Sequence, residues 1–469
     1  MAPIRTDIPA RLDRLPWSGW HWRVVIALGV SWLLDGLEVT LVGSLGPTLQ
    51  RADTLGLSAA QIGWAASAYV GGAVLGALFF GRLADRLGRK RMFLVTLAVY
   101  LVATVLTAFS FNVASFAFCR FLTGFGIGGE YAAINSAIDE LIPARVRGSV
   151  DLAINGTFWI GAALGAGLSV VLLNEGVLRP EIGWRVAFLL GAVLSVAILA
   201  VRRHVPESPR WLLTHGRTEE AEKVVREVEL EVGVTEARHE LVSMRALRTV
   251  PWRDVLHVLL KRYRKRTVLG LTLMAAQAFF YNAIFFTYAL VLARFYGVDE
   301  HDVGYYIFPF AVGNFLGPLV LGRLFDSLGR RAMIAITYSL AGVGLFFTGY
   351  GFSTEFLSAN QLTLCWSAIF FIASAAASSA YLTVSEIFPL EMRAVAISLF
   401  YAAGTAIGGF AGPPLFGAMI ESGSRQALFG AYSFAACLMC AAALAAAYLG
   451  VDAERKSLEL VAPPLGSVP

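Results

Sequence analysis

Long apolar segments alternate with short polar ones along almost the whole chain. A helix needs about 20 apolar residues to span a bilayer, and twelve segments are close to or above this length. Because a segment inside lipid must satisfy its own backbone polar groups, the spans are predicted to be helices and not strands. The predicted spans are 24–45, 62–81, 92–110, 114–139, 149–173, 184–201, 267–293, 303–321, 332–352, 362–384, 394–420 and 426–450.

A polar stretch at 204–265 separates the first six spans from the last six. We therefore expect an N-terminal six-helix half at 1–203, a linker at 204–265 and a C-terminal six-helix half at 266–469. Within the linker, apolar residues at 255–260 precede a basic cluster at 261–266. This pattern predicts an amphipathic helix that lies on an anionic membrane surface.

The positions of the basic residues indicate the orientation in the membrane. With the N-terminus inside, cytoplasmic segments hold 32 of the 38 Lys and Arg residues, external loops hold five, and Arg120 lies within a span. Cytoplasmic loops of membrane proteins carry such an excess of basic residues. We therefore expect a multi-pass protein of the plasma (inner) membrane with both termini in the cytoplasm.

The composition excludes several classes of protein. Charged residues make up 15% of the chain and hydrophobic residues 57%, whereas soluble proteins contain about 25% charged residues. A soluble enzyme with one anchor is excluded, and no enzymatic activity is expected. The excess of basic residues in the cytoplasmic segments explains the net charge of +5, so no nucleic-acid partner is expected. Cys437 and Cys440 lie in an apolar stretch without other ligand types, so no metal site is predicted.

Two motifs occur once in each half, in the same order. G-R-L-x-D-x-L-G-R-[KR] starts at Gly81 and again at Gly322, and E-x-x-P-x-x-x-R starts at Glu140 and again at Glu386. Duplicated halves around a central site are a transporter architecture. Since acids accept hydrogen bonds from helix N-termini and arginines, we expect a cytoplasmic gate. The predicted gate residues are Gly81, Asp85, Arg89, Glu140, Arg147, Gly322, Asp326, Arg330, Glu386 and Arg393.

These motifs resemble those of the major facilitator superfamily over essentially the full chain. Arg120-x-x-x-Gly124-x-Gly126-x-Gly128-Gly129 and the P-E-S-P-R-W-L stretch at 206–212 resemble the sugar porters. Asp35-Gly36-x-Glu38 resembles the signature of the aromatic-acid:proton symporters, and Gly128-Gly129-Glu130-Tyr131 is similar to nicotinate-type relatives. The resemblance implies an all-α membrane protein, with twelve transmembrane helices in two pseudo-symmetric halves of six.

The acids within the first span are candidates for proton coupling. Asp35 and Glu38 lie three residues apart and therefore on one helix face. Charges inside a bilayer are costly and are usually functional. None of the six His residues falls in a predicted span, so carboxylates must handle protons. Glu38 is the preferred site because it matches the proton-binding position of proton-coupled sugar porters. The alternative is that the two acids only bond neighbouring helices.

Arg120 needs a counter-ion because its guanidinium is always charged. The resemblance makes it the partner of the carboxylate in the first span. The alternatives are direct capture of a substrate carboxylate and a fixed structural ion pair. Glu130 lies ten residues further on, on a different stripe of the same helix. It is either a second proton site or a packing contact.

Neutral polar and aromatic residues are the candidates for substrate contact. They are Asn155, Trp159, Gln277, Tyr281, Asn282, Asn314, Trp366 and Tyr401. We expect proton-coupled uptake of an organic or aromatic monocarboxylate, because Arg120 is expected to be the one charged side chain of a neutral cavity. A sugar or polyol symporter is second, and a proton-driven exporter or a non-transporting sensor follows. No Walker sequence is present. We therefore expect a monomer that uses the proton gradient and no cofactor.

Overall fold

The computed structural model describes residues 4–172, 176–202, 206–234, 241–244, 250–285, 287–298 and 303–465. Nearly all of the secondary structure in these ranges is helical. The first half and the linker contain β1 Ile4–Thr6, α1 Ile8–Arg14, α2 Gly19–Ser44, α3 Gly46–Gln50, α4 Ala59–Leu87, α5 Arg89–Ala108, α6 Val113–Leu141, α7 Arg147–Leu172, α8 Pro180–Arg202, α9 Pro209–Thr214, α10 Thr218–Val232, β2 Val242–Met244 and α11 Trp252–His257. The second half contains α12 Arg264–Phe285, α13 Tyr288–Tyr296, α14 Val303–Ser327, α15 Arg330–Ser353, α16 Ala359–Glu386, α17 Arg393–Glu421, α18 Arg425–Leu449 and α19 Leu458–Val461.

Nine helices in the described ranges are long and apolar enough to cross a membrane. The other three predicted spans fall on α6, on α8, and on α12 with α13. α6 carries Arg120 and Glu130 within its length, which lowers its mean hydropathy. The membrane helices are therefore present, while the number twelve stays a prediction. Large apolar side chains such as Phe79, Phe118 and Phe347 are exposed, as expected of a surface that lipid covers.

The two halves repeat the same packing pattern. In the first half α2 packs on α7, α4 on α6, and α5 on both α6 and α8. In the second half α12 packs on α17, α14 on α16, and α15 on both α16 and α18. Between the halves, α4 contacts α17 and α7 contacts α14. Each contact of one half thus has a counterpart in the other, as the repeated motifs predict.

Glycines allow the tightest helix contacts of the first half. Gly72 and Gly76 on α4 lie against the carbonyl oxygens of Phe121 and Phe125 on α6. On α6, Gly124 likewise lies against the Tyr69 carbonyl oxygen, so the close approach is reciprocal. Small residues spaced four apart allow such backbone contact in membrane helices. The Gly-rich stretch of α6 is therefore a packing feature.

Both terminal segments contact the linker on one face of the molecule. Strand β1 pairs antiparallel with β2 of the linker. Arg11 on α1 donates hydrogen bonds to Glu222 and Glu229 on α10. Arg210 on α9 is fully buried and pairs with Asp13 and with Glu459 of the C-terminal segment, both at 3.0 Å. The predicted boundaries of the linker, at 204 and 265, lie next to the ends of α8 and α12.

The glycine contact predicts a position-specific effect on stability. We expect Gly72→Ala to lower the unfolding temperature of the purified protein in detergent, because the new methyl group overlaps the Phe121 carbonyl. Overpacking of this kind costs about 1–3 kcal/mol. Gly71→Ala is the matched control, since nothing lies within 4 Å of its added Cβ. Equal unfolding temperatures for the two variants would contradict this account of the α4–α6 contact.

Candidate functional site

A cavity of about 250 Å³ lies between the two halves. It is lined by α2, α4, α6 and α7 of the first half and by α12, α16 and α17 of the second. Its lining residues are Trp32, Val39, Tyr69, Val70, Ala73, Tyr131, Asn155, Phe158, Trp159, Gln277, Ala278, Tyr281, Phe285, Ser374, Ala377, Ser378, Tyr381, Tyr401 and Thr405. Because both halves contribute, a ligand here would touch both halves of the molecule.

Nine of the nineteen lining residues of this cavity are aromatic. The Tyr131 ring lies 4.5 Å, between centroids, from both Trp32 and Tyr401. On another wall, Trp159 lies 6.0 Å from Tyr281 and 5.2 Å from Phe285. Aromatic rings favour stacked or edge-on contacts with other rings. The walls therefore suit a small planar ligand.

Five of the predicted contact residues line the cavity, namely Asn155, Trp159, Gln277, Tyr281 and Tyr401. The Asn155 amide donates to the Asp151 backbone oxygen at 2.8 Å and to its carboxylate. The Gln277 amide nitrogen lies 3.9 Å from the Met274 sulfur. Sulfur is a weak acceptor, and the Gln277 side chain also bonds the Tyr381 hydroxyl, another group of the cavity wall.

Two predicted contacts are corrected by the structure, which places them behind the cavity wall. Asn314 is fully buried, and its amide oxygen accepts a 2.8 Å hydrogen bond from the Tyr281 hydroxyl. Asn314 therefore positions a lining residue. Trp366 is fully buried against the Tyr288 ring, with 4.8 Å between centroids, and packs in the core of the second half. The side chain of Asn282 lies outside the described residues.

The sequence interpretation missed several lining residues, chiefly Trp32, Tyr69, Tyr381, Ser374 and Ser378. Their helices were predicted, but helical periodicity does not show which face meets the opposite half. Tyr131 was noticed only as part of a motif, and its ring lies in the cavity wall.

Asp35 lies beside the cavity and is held by two of its tyrosines. The Tyr69 hydroxyl donates a 3.3 Å hydrogen bond to Asp35 Oδ1, and the Tyr131 hydroxyl donates to Oδ2. Asp35 is 6% exposed. Asp35 also shares a small cavity of about 20 Å³ with Glu130. This volume is about that needed for one water molecule.

Arg120 pairs with Glu38, as the resemblance implied. Its Nη1 donates to Glu38 Oε1, and both side chains are almost fully buried. The guanidinium carbon lies 4.6 Å from the centroid of the Tyr69 ring. Arg120 is not among the lining residues of the cavity. The expectation of one charged arginine in a neutral cavity is therefore wrong in this conformation, because its charge is directed to Glu38.

The predicted gate residues form two symmetric crossings between the halves. Asp85, at the end of α4, accepts hydrogen bonds from the backbone N–H groups of Ala394 and Val395, at 3.3 and 3.0 Å. Asp326, at the end of α14, accepts from Gly148 and Ser149, at 3.1 and 2.7 Å. In each case a carboxylate faces the positive N-terminus of a helix in the other half, which stabilises the contact.

Buried ion pairs reinforce both crossings. Arg89 lies 2.9 Å from Glu140, and Arg330 lies 3.0 Å from Glu386. Each of these two pairs lies within one half. Two other pairs join the halves, with nitrogen–oxygen distances of 3.7 Å. They are Arg147 with Glu386 and Arg393 with Glu140. The repeated acids and arginines therefore face one another across a two-fold arrangement.

Small residues let the helices meet at these crossings. Gly81 lies directly against Ser398 of α17, and an added Cβ at Gly322 would lie 3.3 Å from the Cα of Ser149 on α7. The linker adds Glu207, which accepts a 2.9 Å hydrogen bond from the Arg89 backbone N–H. Burial raises the pKa of the Glu207 carboxyl above its ordinary value, while the N–H donors of Ser208 and Arg89 act in the opposite direction.

Comparison with known proteins agrees with this architecture. A family model described as "Sugar (and other) transporter" matches residues 38–462. The niacin transporter NiaP of Acinetobacter baylyi is 27% identical and covers 97% of this chain and 99% of its own length. The 4-hydroxybenzoate transporter PcaK of Pseudomonas aeruginosa is 27% identical over 88% of this chain and 90% of its own.

A solved structure shows the same fold. It is the major facilitator superfamily proton:xylose symporter XylE, bound to 6-bromo-6-deoxy-D-glucose, with a TM-score of 0.77 and 19% identity. The superposition covers 94% of this chain and 98% of that one. The predicted fold class, an all-α membrane protein of the major facilitator type, is confirmed.

The Asp85 crossing predicts a shift in access to the cavity from its own side of the membrane. We expect Asp85→Asn to increase labelling, from the side on which Asp85 lies, of a reporter cysteine placed at Ser378, in a background without native cysteines. The neutral amide loses the charge-assisted bonds to the N-terminus of α17, each of which is worth about 1.5–3 kcal/mol, so labelling should rise by about tenfold. Asp254→Asn, at an exposed linker position, is the control. Equal labelling of both variants would remove Asp85 from the gate.

Proposed function

Because the chain belongs to the sugar (and other) transporter family, we propose that it carries a small aromatic monocarboxylate into the cell together with protons, by alternating access. The family membership identifies a multi-pass membrane transporter and not an enzyme, as the sequence predicted. The substrate class, the coupling to protons, the plasma-membrane location and the cytoplasmic termini belong to the proposal, as does the monomeric state.

The aromatic lining of the cavity carries the proposal for the substrate. Trp32, Tyr131 and Tyr401 form one aromatic wall, and Trp159 and Tyr281 form another. Pockets for drug-sized ligands measure about 300–1,000 Å³, so a cavity of about 250 Å³ suits a molecule with a single ring. The niacin and 4-hydroxybenzoate transporters named above carry such molecules, which supports the same class here.

Neutral polar groups line the cavity where the carboxylate of the substrate would bind. The Gln277 amide and the hydroxyl groups of Ser374, Ser378 and Thr405 line the cavity. Their hydroxyls would also suit a sugar or polyol, which is the second candidate. The aromatic walls favour the planar acid because they offer ring faces on several sides.

The acidic cluster of the first half carries the proposal for proton coupling. Glu38 pairs with Arg120, and Asp35 and Glu130 share a small cavity. When ionised, three carboxylates beside one arginine carry a net negative charge, which repels an anionic substrate. Each proton that the cluster takes up removes one negative charge from the surroundings of the cavity. Proton binding therefore favours binding of the carboxylate, and by linkage the carboxylate favours proton binding.

Uptake into proteoliposomes with an acidic exterior tests the proposal. We expect 4-hydroxybenzoate to accumulate and a protonophore to abolish this accumulation. Its saturated analogue, 4-hydroxycyclohexanecarboxylate, should be taken up about tenfold less well at low concentration. It has the same carboxylate but no ring face, and one aromatic contact is worth about 0.5–1.5 kcal/mol.

Protein-free vesicles are the control, because undissociated acids cross lipid unaided. Preference for D-xylose over both acids would replace the proposed substrate with a sugar. Equal uptake of the ring and its saturated analogue would show that the aromatic walls do not select the substrate.

A further inference from the structure

Tyr131 connects the acidic cluster to the cavity. Its hydroxyl donates a hydrogen bond to Asp35 Oδ2, while its ring lines the cavity wall. The same ring lies 4.5 Å from Trp32 on α2 and 4.5 Å from Tyr401 on α17. One side chain thus touches the acid, the ligand space and the opposite half of the molecule.

We propose that Tyr131 is the positioning residue that links proton binding at Asp35 to substrate binding in the cavity. This inference rests on the proposed function and adds a route for its coupling. It also places the coupled proton on Asp35, whereas the sequence alone favoured Glu38.

The surroundings of the two acids explain this choice. Glu38 pairs with Arg120, and both side chains are buried. A guanidinium stays charged at every relevant pH, so the ion pair with Arg120 favours the ionised form of Glu38. Asp35 instead accepts from two hydroxyl groups, those of Tyr69 and Tyr131, whose rings both line the cavity. A change of charge on Asp35 therefore changes the hydrogen bonds of two side chains in the cavity wall.

Several other groups act on Asp35 and set the context of its titration. The charged and titratable groups around it are Glu38 on α2, Tyr69 on α4, Tyr100 on α5, Arg120 and Glu130 on α6, and Tyr381 and Tyr401 from the second half. On the other side of α2, α7 and α8 pack through apolar residues, among them Phe158 and Ala187. Tyr131 differs from these groups because its hydroxyl bonds Asp35 and its ring also contacts aromatic rings of the second half.

Protonation changes what the Tyr131 hydroxyl does. An ionised carboxylate is a strong acceptor and holds both tyrosine hydroxyls. A protonated carboxyl group is a weaker acceptor and itself gains a donor. The Tyr131 hydroxyl is then released to donate to a carboxylate in the cavity, while its ring lies 4.5 Å from that of Tyr401 in the opposite half. Loading of Asp35 with a proton thereby prepares the site for the anion.

Calorimetric binding of 4-hydroxybenzoate to the purified full chain tests this link. For the parent protein we expect the dissociation constant to fall by about tenfold for each unit of decrease in pH, over the range in which one proton is taken up with the ligand. Tyr131→Phe keeps the ring but removes the hydroxyl, so this dependence should flatten to about twofold or less per unit.

Tyr281→Phe is the matched control. Tyr281 also lines the cavity, but its hydroxyl donates to Asn314 and not to an acid. This variant is expected to change affinity by the same factor at every pH and to retain the parent's slope. A parent slope retained in Tyr131→Phe, or an equal loss of slope in both variants, would overturn the inference.

A ligand-free measurement separates this inference from the proposed function. An infrared titration records the C=O stretch of protonated carboxyl groups, and Asp35→Asn identifies the contribution of Asp35. In Tyr131→Phe the midpoint of that band should move by about one pH unit, because the carboxylate loses one of its two tyrosine donors. Tyr281→Phe should leave the midpoint in place.

An unmoved band in Tyr131→Phe, or no titrating band that Asp35→Asn removes, would overturn the link even if aromatic acids bind. A parent protein that binds neither 4-hydroxybenzoate nor nicotinate would overturn the proposed function, whereas the infrared result would still decide whether Tyr131 acts on Asp35.

Discussion

Charges buried at membrane depth must find their partners within the protein, because lipid offers none and each unpaired charge costs about 2.5–3.5 kcal/mol or more. In this chain that requirement brings α2, α4 and α6 together. Arg120 on α6 pairs with Glu38 on α2 and packs on the Tyr69 ring of α4. Asp35 is satisfied by hydroxyls from α4 and α6. The same contacts that satisfy these charges also place two tyrosine rings in the wall of the central cavity.

The face that carries the repeated motifs meets the same requirement by a different arrangement, which is used twice. Asp85 and Asp326 each bond the N-terminus of a helix in the opposite half. Glu140 and Glu386 each face one arginine of their own half and one of the other. The bonds of Asp85 and Asp326 and the Arg147–Glu386 and Arg393–Glu140 pairs join the two halves, so these contacts must break together if the halves separate at this face. The acidic cluster lies within the first half, so it can change charge without breaking the contacts between halves.

The sequence predicts well what depends on periodicity, sidedness and repetition. The membrane helices and the equivalence of Asp85 and Asp326 follow from these patterns. Side-chain direction does not follow from them. Arg120 was expected in the cavity, yet its ion pair with Glu38 directs it away, and Trp366 packs in the core of the second half. Trp32 and Tyr381 gave no sequence signal, because an aromatic residue in an apolar span resembles ordinary packing until the opposite half is in place.

Uptake of 4-hydroxybenzoate into proteoliposomes under an imposed membrane potential, with no pH difference, tests the central claim most directly. One proton carried with one monocarboxylate moves no net charge. The account therefore predicts no accumulation from voltage alone, and about tenfold accumulation for each unit of an imposed pH gradient. Accumulation of roughly 40-fold at about 100 mV without a pH gradient would mean that one net charge crosses with the substrate, which would contradict the coupling of one proton to a monocarboxylate.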